Sequence, residues 1–406
     1  MCFLRFLAQA RGTLARHLAE ASPVAWAAVP PDSGRTLHLV MGNESCDLDS
    51  AVSAVTLAFV YAQRHLEHDY VPILNIPRRD YPLKTEVGHM FGQCGIVESE
   101  LLFRDDLPGK MAPDVSVILV DHHVSPLAPN VAEILDHRPL DESSPSLQLL
   151  PASCERSIDA SVGSCATLVA ERYLAEEHPR SVAVARLLHA TIVLDTINFA
   201  PAAKRFGPKD QAMVEQLEKE LNRQATQRTV LFDELVAARA DISSLTLTEV
   251  LRKDMKTLHT DRQVVPMAGM PILVRDFVAK SGAEKAVREF AAGSNLLVIL
   301  GMWVAPADGQ VQRDVGLISL NGQSQLVERV RLALVESTDP KLELQPHEPD
   351  TPRFMGGCFL RQHNVQATRK HILPVVKRAL LEWESEHGCD SDDVYFFKEK
   401  PQLGLS

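Results

Sequence analysis

Short runs of apolar residues, most without polar alternation, punctuate the first half of the chain. Residues 37–41 form one such run and stop at Gly42, and an apolar-periodic stretch over 48–61 follows. That order predicts strand, loop and helix. Comparable runs at 70–76, 101–103, 115–120 and 131–135 read as strands of a parallel sheet covered on both faces. Helical spacing at 85–94 and 164–173 lies between or after them. The first half therefore predicts a doubly wound, mainly parallel α/β domain, with its ligands beyond the carboxyl ends of the strands.

From residue 208 to about 240 the chain turns polar with helical spacing, which reads as a connector between domains. Past it, apolar runs at 264–273, 296–304 and 311–319 predict strands, and 284–292, 323–334 and 368–384 predict helices. A second, smaller α/β domain results. The expected division is an extension over 1–35, a first domain over 36–210, a helical connector over 211–240, a second domain over 241–390 and a tail over 391–406. Arg5, Arg11 and Arg16 precede the first acid, Glu20, so the extension reads as an amphipathic helix, with a mitochondrial transit segment as the minor alternative.

Composition narrows the class. With 45% hydrophobic and 23% charged residues over 406 positions, the chain matches a globular protein and not a disordered one. No apolar run reaches the roughly 18 residues of a membrane span. Seven cysteines occur without a CxxC pair, which signals neither a zinc site nor a disulfide framework. A reducing compartment is expected, cytoplasmic and also nuclear. The formal net charge of −11 has the wrong sign for binding a nucleic-acid polymer by bulk charge.

Four acidic clusters change the picture, each expected where a strand ends. The first is Gly42-Asn43-Glu44-Ser45-Cys46-Asp47-Leu48-Asp49-Ser50. Taken alone, it is as well explained by a helix cap with two solvated acids as by a cation loop. Yet Ile118-Leu119-Val120 runs into Asp121-His122-His123, Ile134-Leu135 into Asp136-His137-Arg138-Pro139, and Thr191-Ile192-Val193-Leu194 into Asp195. Carboxylates outnumber imidazoles, a mixture that suits Mg2+ or Mn2+ better than structural zinc. Two such ions sharing a carboxylate activate water for phosphoryl chemistry.

These motifs, with Gly163-Ser164-Cys165-Ala166-Thr167, resemble the DHH phosphoesterase superfamily. Leu251-Arg252-Lys253-Asp254-Met255-Lys256 and Thr368-Arg369-Lys370 resemble the DHHA2 domain of its exopolyphosphatase and manganese-pyrophosphatase branch. The resemblance implies an active site in the cleft between the domains. It also implies two divalent cations, Mn2+ or Mg2+: one on Asp47 and Asp121, with Asn43 where the family has a histidine, and one on Asp49, the shared Asp121, His137 and Asp195. Asp105, in Phe103-Arg104-Asp105-Asp106, is the runner-up for the bridging role. A water or hydroxide between the ions would attack phosphorus. Arg138, His122, Arg369 and Lys370 would bind phosphate, and Lys256 less so, since with Arg252 and Lys253 it also reads as an exposed helical face. The neutral Asn43 predicts activity with Mg2+ as well as Mn2+.

The implied activity is hydrolysis of phosphoanhydride bonds in short-chain polyphosphate. A cyclic-nucleotide phosphodiesterase is the alternative enzyme. An interaction protein of signalling and cell migration, with signalling protein partners and a vestigial site, is the alternative of another class. Since the chain stops soon after Tyr395-Phe396-Phe397, partners that need a long polar tail are not expected.

Overall fold

The structure, a computed structural model, describes residues 2–19, 35–109, 115–140, 142, 144–177, 180–305, 310–347 and 354–387. The tail expected over 391–406 lies outside them. Two compact units meet in sequence at Asp241 and Ile242. The first contains α1 (Phe3–Ala19), β1 (Thr36–Met41), α2 (Leu48–Arg64), β2 (His68–Ile73), α3 (Thr85–Gln93), β3 (Ser116–Val120), β4 (Val131–Asp136), α4 (Pro145–Gln148), β5 (Glu155–Ile158), α5 (Cys165–Ala175), α6 (Val182–Asp195), α7 (Pro208–Glu220) and α8 (Gln227–Ala240).

Its sheet runs β2-β1-β3-β4-β5, and every pairing is parallel. Alternate residues of each strand enter different cores. Leu37, Leu39, Met41, Val117 and Leu119 pack with Ala10 and Leu14 of α1. Val40, Ile118 and Val120 pack with α2, α5 and α6. Covering both faces explains the lack of polar alternation in the sequence. In this order the connections reverse direction between β1 and β3, so a crevice opens at the carboxyl ends of those two strands.

Two expected elements differ. Residues 101–103 make only an isolated bridge, Leu74 to Phe103, before a 3-10 turn at Arg104–Asp106; the run is too short to pair further. The stretch read as a connector forms α7 and α8, which belong to the first unit. Val214, Leu217, Leu231 and Leu235 are buried in its core, so a mostly polar sequence still supplies one apolar stripe per helix. The N-terminal extension likewise packs: Phe3, Phe6 and Leu7 of α1 are buried, and Arg11 Nη2 donates to the Leu101 carbonyl at 2.9 Å.

The second unit contains α9 (Leu247–Lys253), β6 (Asp254–His259), β7 (Val264–Met270), α10 (Val274–Val278), α11 (Ala283–Phe290), β8 (Leu296–Val304), β9 (Val311–Ser319), α12 (Ser324–Val335), β10 (Leu344–Pro346), β11 (Cys358–Gln362) and α13 (Arg369–Glu386). Its sheet order is β10-β11-β9-β8-β7-β6, antiparallel except for the β7 and β8 pair. Helices α12 and α13 fill one face, and α9, α10 and α11 the other. Among the described residues no helix is long and apolar enough to cross a membrane.

Candidate metal centre

The crevice between β1 and β3 is where the acidic motifs converge. After β1 the chain must fold back tightly on the start of α2: a Cβ on Gly42 would lie 2.7 Å from Ser50 Cβ and from the Ser50 carbonyl oxygen, so only glycine fits. Asp47 caps α2, its carboxylate accepting from the Ser50 amide at 3.2 Å. Ser50 is thereby free to bridge: its hydroxyl accepts from the Asn43 amide at 3.1 Å and donates to Asp121 Oδ2 at 2.6 Å.

Asp49 lies one residue into the helix and only 3% exposed. Its Oδ1 accepts from Ser164 Oγ at 2.9 Å and the Ala166 amide at 2.8 Å, and its Oδ2 from the Cys165 amide at 2.7 Å. The Gly163-Ser164-Cys165-Ala166-Thr167 motif thus presents free amides at the start of α5 to a carboxylate. Burial nevertheless pushes Asp49 above the usual carboxylate range, and Asp47 adds to the rise, while His137 and the amides of Cys165 and Ala166 oppose it.

At the end of β3, Asp121 turns the chain with a φ of +62°. It is 1% exposed. Burial, reinforced by Asp49, raises its carboxyl to about 7 against the pull of His137 and Arg138. Asp136, at the end of β4, is wholly buried. Its Oδ2 pairs with His123 Nδ1 at 2.6 Å, and its Oδ1 accepts from the amides of His137 at 2.8 Å and Arg138 at 3.2 Å. Asp136 is therefore the strut of the turn that presents His137.

His137 Nδ1 lies 3.4 Å from the Val162 carbonyl, which leaves Nε2 facing Asp121 Oδ1 at 3.3 Å and Asp49 Oδ2 at 3.7 Å. Burial lowers its affinity for a proton, but the bond to Asp121 and the charge of Asp49 outweigh it and raise the imidazole to about 9. Asp49, Asp121 and His137 each offer one ligand atom, all within 4.8 Å of one another. Asp121 Oδ1 is buried without a hydrogen-bond donor of good geometry. Two hard oxygens and one imidazole fit a divalent cation.

Asp47 and Asp195 line the same cavity of about 350 Å³. Asp195, however, ends helix α6 instead of the expected strand; an apolar segment without periodicity does not distinguish the two. Its carboxyl is pushed well up, by burial first and then by Asp49 and Asp47. Asn43 turns its amide nitrogen to Asp121 Oδ2 at 2.8 Å, and its Oδ1 accepts from the Ser45 amide at 2.8 Å and hydroxyl at 2.6 Å. It acts here as a donor to Asp121. Asp105 does not line the cavity; its carboxylate accepts from the Arg78 amide at 3.0 and 3.1 Å.

Of the expected phosphate ligands, Arg138 is engaged. Its Nη1 pairs with Asp121 Oδ1 at 2.8 Å and approaches Asp136 Oδ1 at 3.6 Å. His122 is absent from the cavity lining, its Nδ1 3.0 Å from the Val120 carbonyl. In the second unit Arg369 donates to Asp254, to the carbonyl at 2.9 Å and Oδ1 at 2.8 Å. Lys370 is exposed, and Lys256 is exposed on strand β6 and not on a helix. Lys204 and Arg205, missed in the sequence, line the cavity; a basic pair in a loop before Gly207-Pro208 carries no distinguishing pattern of its own.

The sequence profile of the DHHA2 domain matches residues 233–379. Together with the Asp and His motifs at the strand ends, it defines a protein of the DHH and DHHA2 class. Exopolyphosphatase PRUNE1 of Mus musculus is 34% identical over 362 residues, which cover 85% of this chain and 76% of the relative. The Bos taurus protein of that name is 35% identical over 361 residues, with the same coverage. A solved Methanococcus jannaschii protein, described as a family II inorganic pyrophosphatase, aligns over 84% of this chain and 99% of its own at 19% identity, with a TM-score of 0.47. The chain belongs to the PRUNE1 family.

Proposed function

We propose that the chain is a metal-dependent phosphohydrolase that cleaves phosphoanhydride bonds of short-chain inorganic polyphosphate. One observation carries the reading: buried Asp49 and Asp121 and half-buried His137 converge within 4.8 Å at the switch point of a parallel sheet, where such folds bind ligands. The name exopolyphosphatase, carried by relatives about a third identical, supports the anhydride class.

Asp47, Asp49, Asp121, His137 and Asp195 are the proposed ligands of two divalent cations, Mn2+ or Mg2+. Such ions, when bound, lower the pKa of a water and screen the charge on phosphate. The protein's own residues prepare the site. Three donors from Ser164, Cys165 and Ala166 fix the Asp49 carboxylate. Ser50 and Asn43 fix Asp121 Oδ2, leaving Oδ1 toward His137 Nε2 and Arg138 Nη1. The Val162 carbonyl holds the His137 ring with Nε2 inward, the tautomer a ligand needs. Arg138, and in the second unit Arg369 and Lys370, are proposed to meet phosphate oxygens.

Orthophosphate release from tripolyphosphate, tetrapolyphosphate, pyrophosphate and cyclic AMP, measured side by side, tests this. Release from the polyphosphates with either Mn2+ or Mg2+, abolished by EDTA, is expected. Turnover of cyclic AMP alone would replace the reading with a phosphodiesterase, and activity with Mn2+ but none with Mg2+ would remove the role given to Asn43.

A further inference from the structure

We infer that Lys204 and Arg205 form a phosphate-binding wall of the first unit, receiving the oxygens of a polyphosphate, or of the orthophosphate released from it, in the cavity that holds the carboxylates. The inference rests on the phosphohydrolase reading and extends it to two residues outside the family motifs.

Both residues line the cavity together with Asp47, Asp49, Asp121 and Asp195. Four carboxylates there would repel a polyanion, and cations alone would leave its outer oxygens unmet. Arg138 starts out paired with Asp121 and Asp136, so it meets phosphate only by giving up those contacts. The side chains of Lys204 and Arg205 make no ion pair or hydrogen bond among the described residues. They are the uncommitted cations of that cavity. A guanidinium can grip two phosphate oxygens at once, and an ammonium acts as a point charge beside it.

Lys204 and Arg205 are exposed, as in a solvated loop, but the backbone that carries them is held. After α6 the backbone turns through Ile197, Asn198 and Phe199 with φ of +52°, +49° and +58°, passes a 3-10 turn at Pro201–Ala203, and reaches Lys204 at φ +50°. Left-handed backbone at such residues costs roughly 1–2 kcal/mol each and persists only where the surroundings hold it. The hold is visible. A Cβ on Gly163 would lie 2.0 Å from the Arg205 carbonyl oxygen, and one on Gly207 would lie 2.3 Å from the Ser161 carbonyl oxygen. The buried Asp210 accepts from the Gly163 amide at 2.9 Å and the Gly207 amide at 2.7 Å. The segment carrying Lys204 and Arg205 is thus locked against residues 161–163, which line the same cavity.

The test uses the full chain with Lys204→Asn, Arg205→Gln and the double substitution; asparagine tolerates the left-handed backbone at 204. In the Mn2+-loaded protein the KM for tripolyphosphate should rise about tenfold for each single variant, the loss of a hydrogen bond to a charged group. Turnover number should change far less. Calorimetric binding of imidodiphosphate, which is not hydrolysed, should weaken by the same factors, with Mn2+ affinity and melting temperature unchanged and Arg205→Lys recovering most of the loss. Unaltered KM and imidodiphosphate affinity in the double variant would overturn the inference. If the wild type hydrolyses no anhydride, the phosphohydrolase reading falls, and imidodiphosphate binding still decides whether the wall exists. A fall in Mn2+ affinity or in melting temperature that accounts for the weakened binding would also overturn it, since the pair would then support the fold.

Discussion

At Asp121 several constraints meet in one side chain. Its left-handed backbone aims the carboxylate back over the crevice, where Ser50, Asn43, His137 and Arg138 reach it from two separate segments. Burial and the neighbouring Asp49 then raise its carboxyl to about 7, so the cation-free protein binds a proton there that the unfolded chain releases near pH 4. Stability contributed by that proton is present below the ordinary carboxylate range and is lost as pH rises toward 7. His137, raised to about 9, acts in the same direction: its contribution is intact below about 6.5 and is lost as pH rises through 9. A divalent cation relieves the repulsion but must displace protons to bind. The rise in melting temperature on adding Mn2+ should therefore be larger at about pH 8 than at about pH 5.5, and Asp121→Asn should remove most of the difference. Equal shifts at both pH values would mean that these groups do not take the ion.

At the scale of elements, the strand, loop and helix of β1 and α2 were legible because an apolar run, a glycine and helical spacing follow one another without ambiguity. Asp47 and Asp49 therefore fell in the right place. Asp195 was found on the wrong kind of element, since the uniformly apolar end of α6 has no polar face to reveal its period. Lys256 was misread for the opposite reason: α9 ends at Lys253 and β6 continues the polar stretch with no break in composition. Lys204, Arg205 and Asp210 left no trace in the pattern at all. Their importance comes from contacts between loops, which periodicity does not encode. Asp210 is the fastener, wholly buried and accepting from Thr167 Oγ1 at 2.5 Å as well as from the two glycine amides. Asp210→Ala would orphan all three donors. It should cost about 2–4 kcal/mol in urea unfolding and raise the KM for tripolyphosphate by freeing the segment at 204–205. A loss within 0.5 kcal/mol, about the surface range, would show that the loops are held by other contacts.

The whole-chain charge of −11 has the wrong sign for binding a nucleic-acid polymer, but charge acts locally, and the molecule concentrates both signs in one cavity of its first unit. The apolar cores are equally local: among the described residues, two lie within the first unit and two within the second. Every carboxylate and the imidazole of the proposed metal centre also precede Asp241, the end of the first unit. A fragment of residues 2–241 should consequently fold and bind Mn2+ within about threefold of the full chain's affinity, a difference of roughly 0.7 kcal/mol. The boundary matters, because the DHHA2 profile begins at residue 233, inside α8. That helix buries Leu231 and Leu235 in the first core, and His89 of α3 pairs with its Glu234 at 2.9 Å. A fragment ending at residue 226 would lack α8, and the two lost leucines would cost about 3–6 kcal/mol of burial, enough to remove much of a domain's stability. Thermal unfolding and Mn2+ titration of both fragments decide the matter. Full-strength binding by the shorter one would make α8 part of the linker after all, and loss of binding by the longer one would mean that the second unit completes the metal centre.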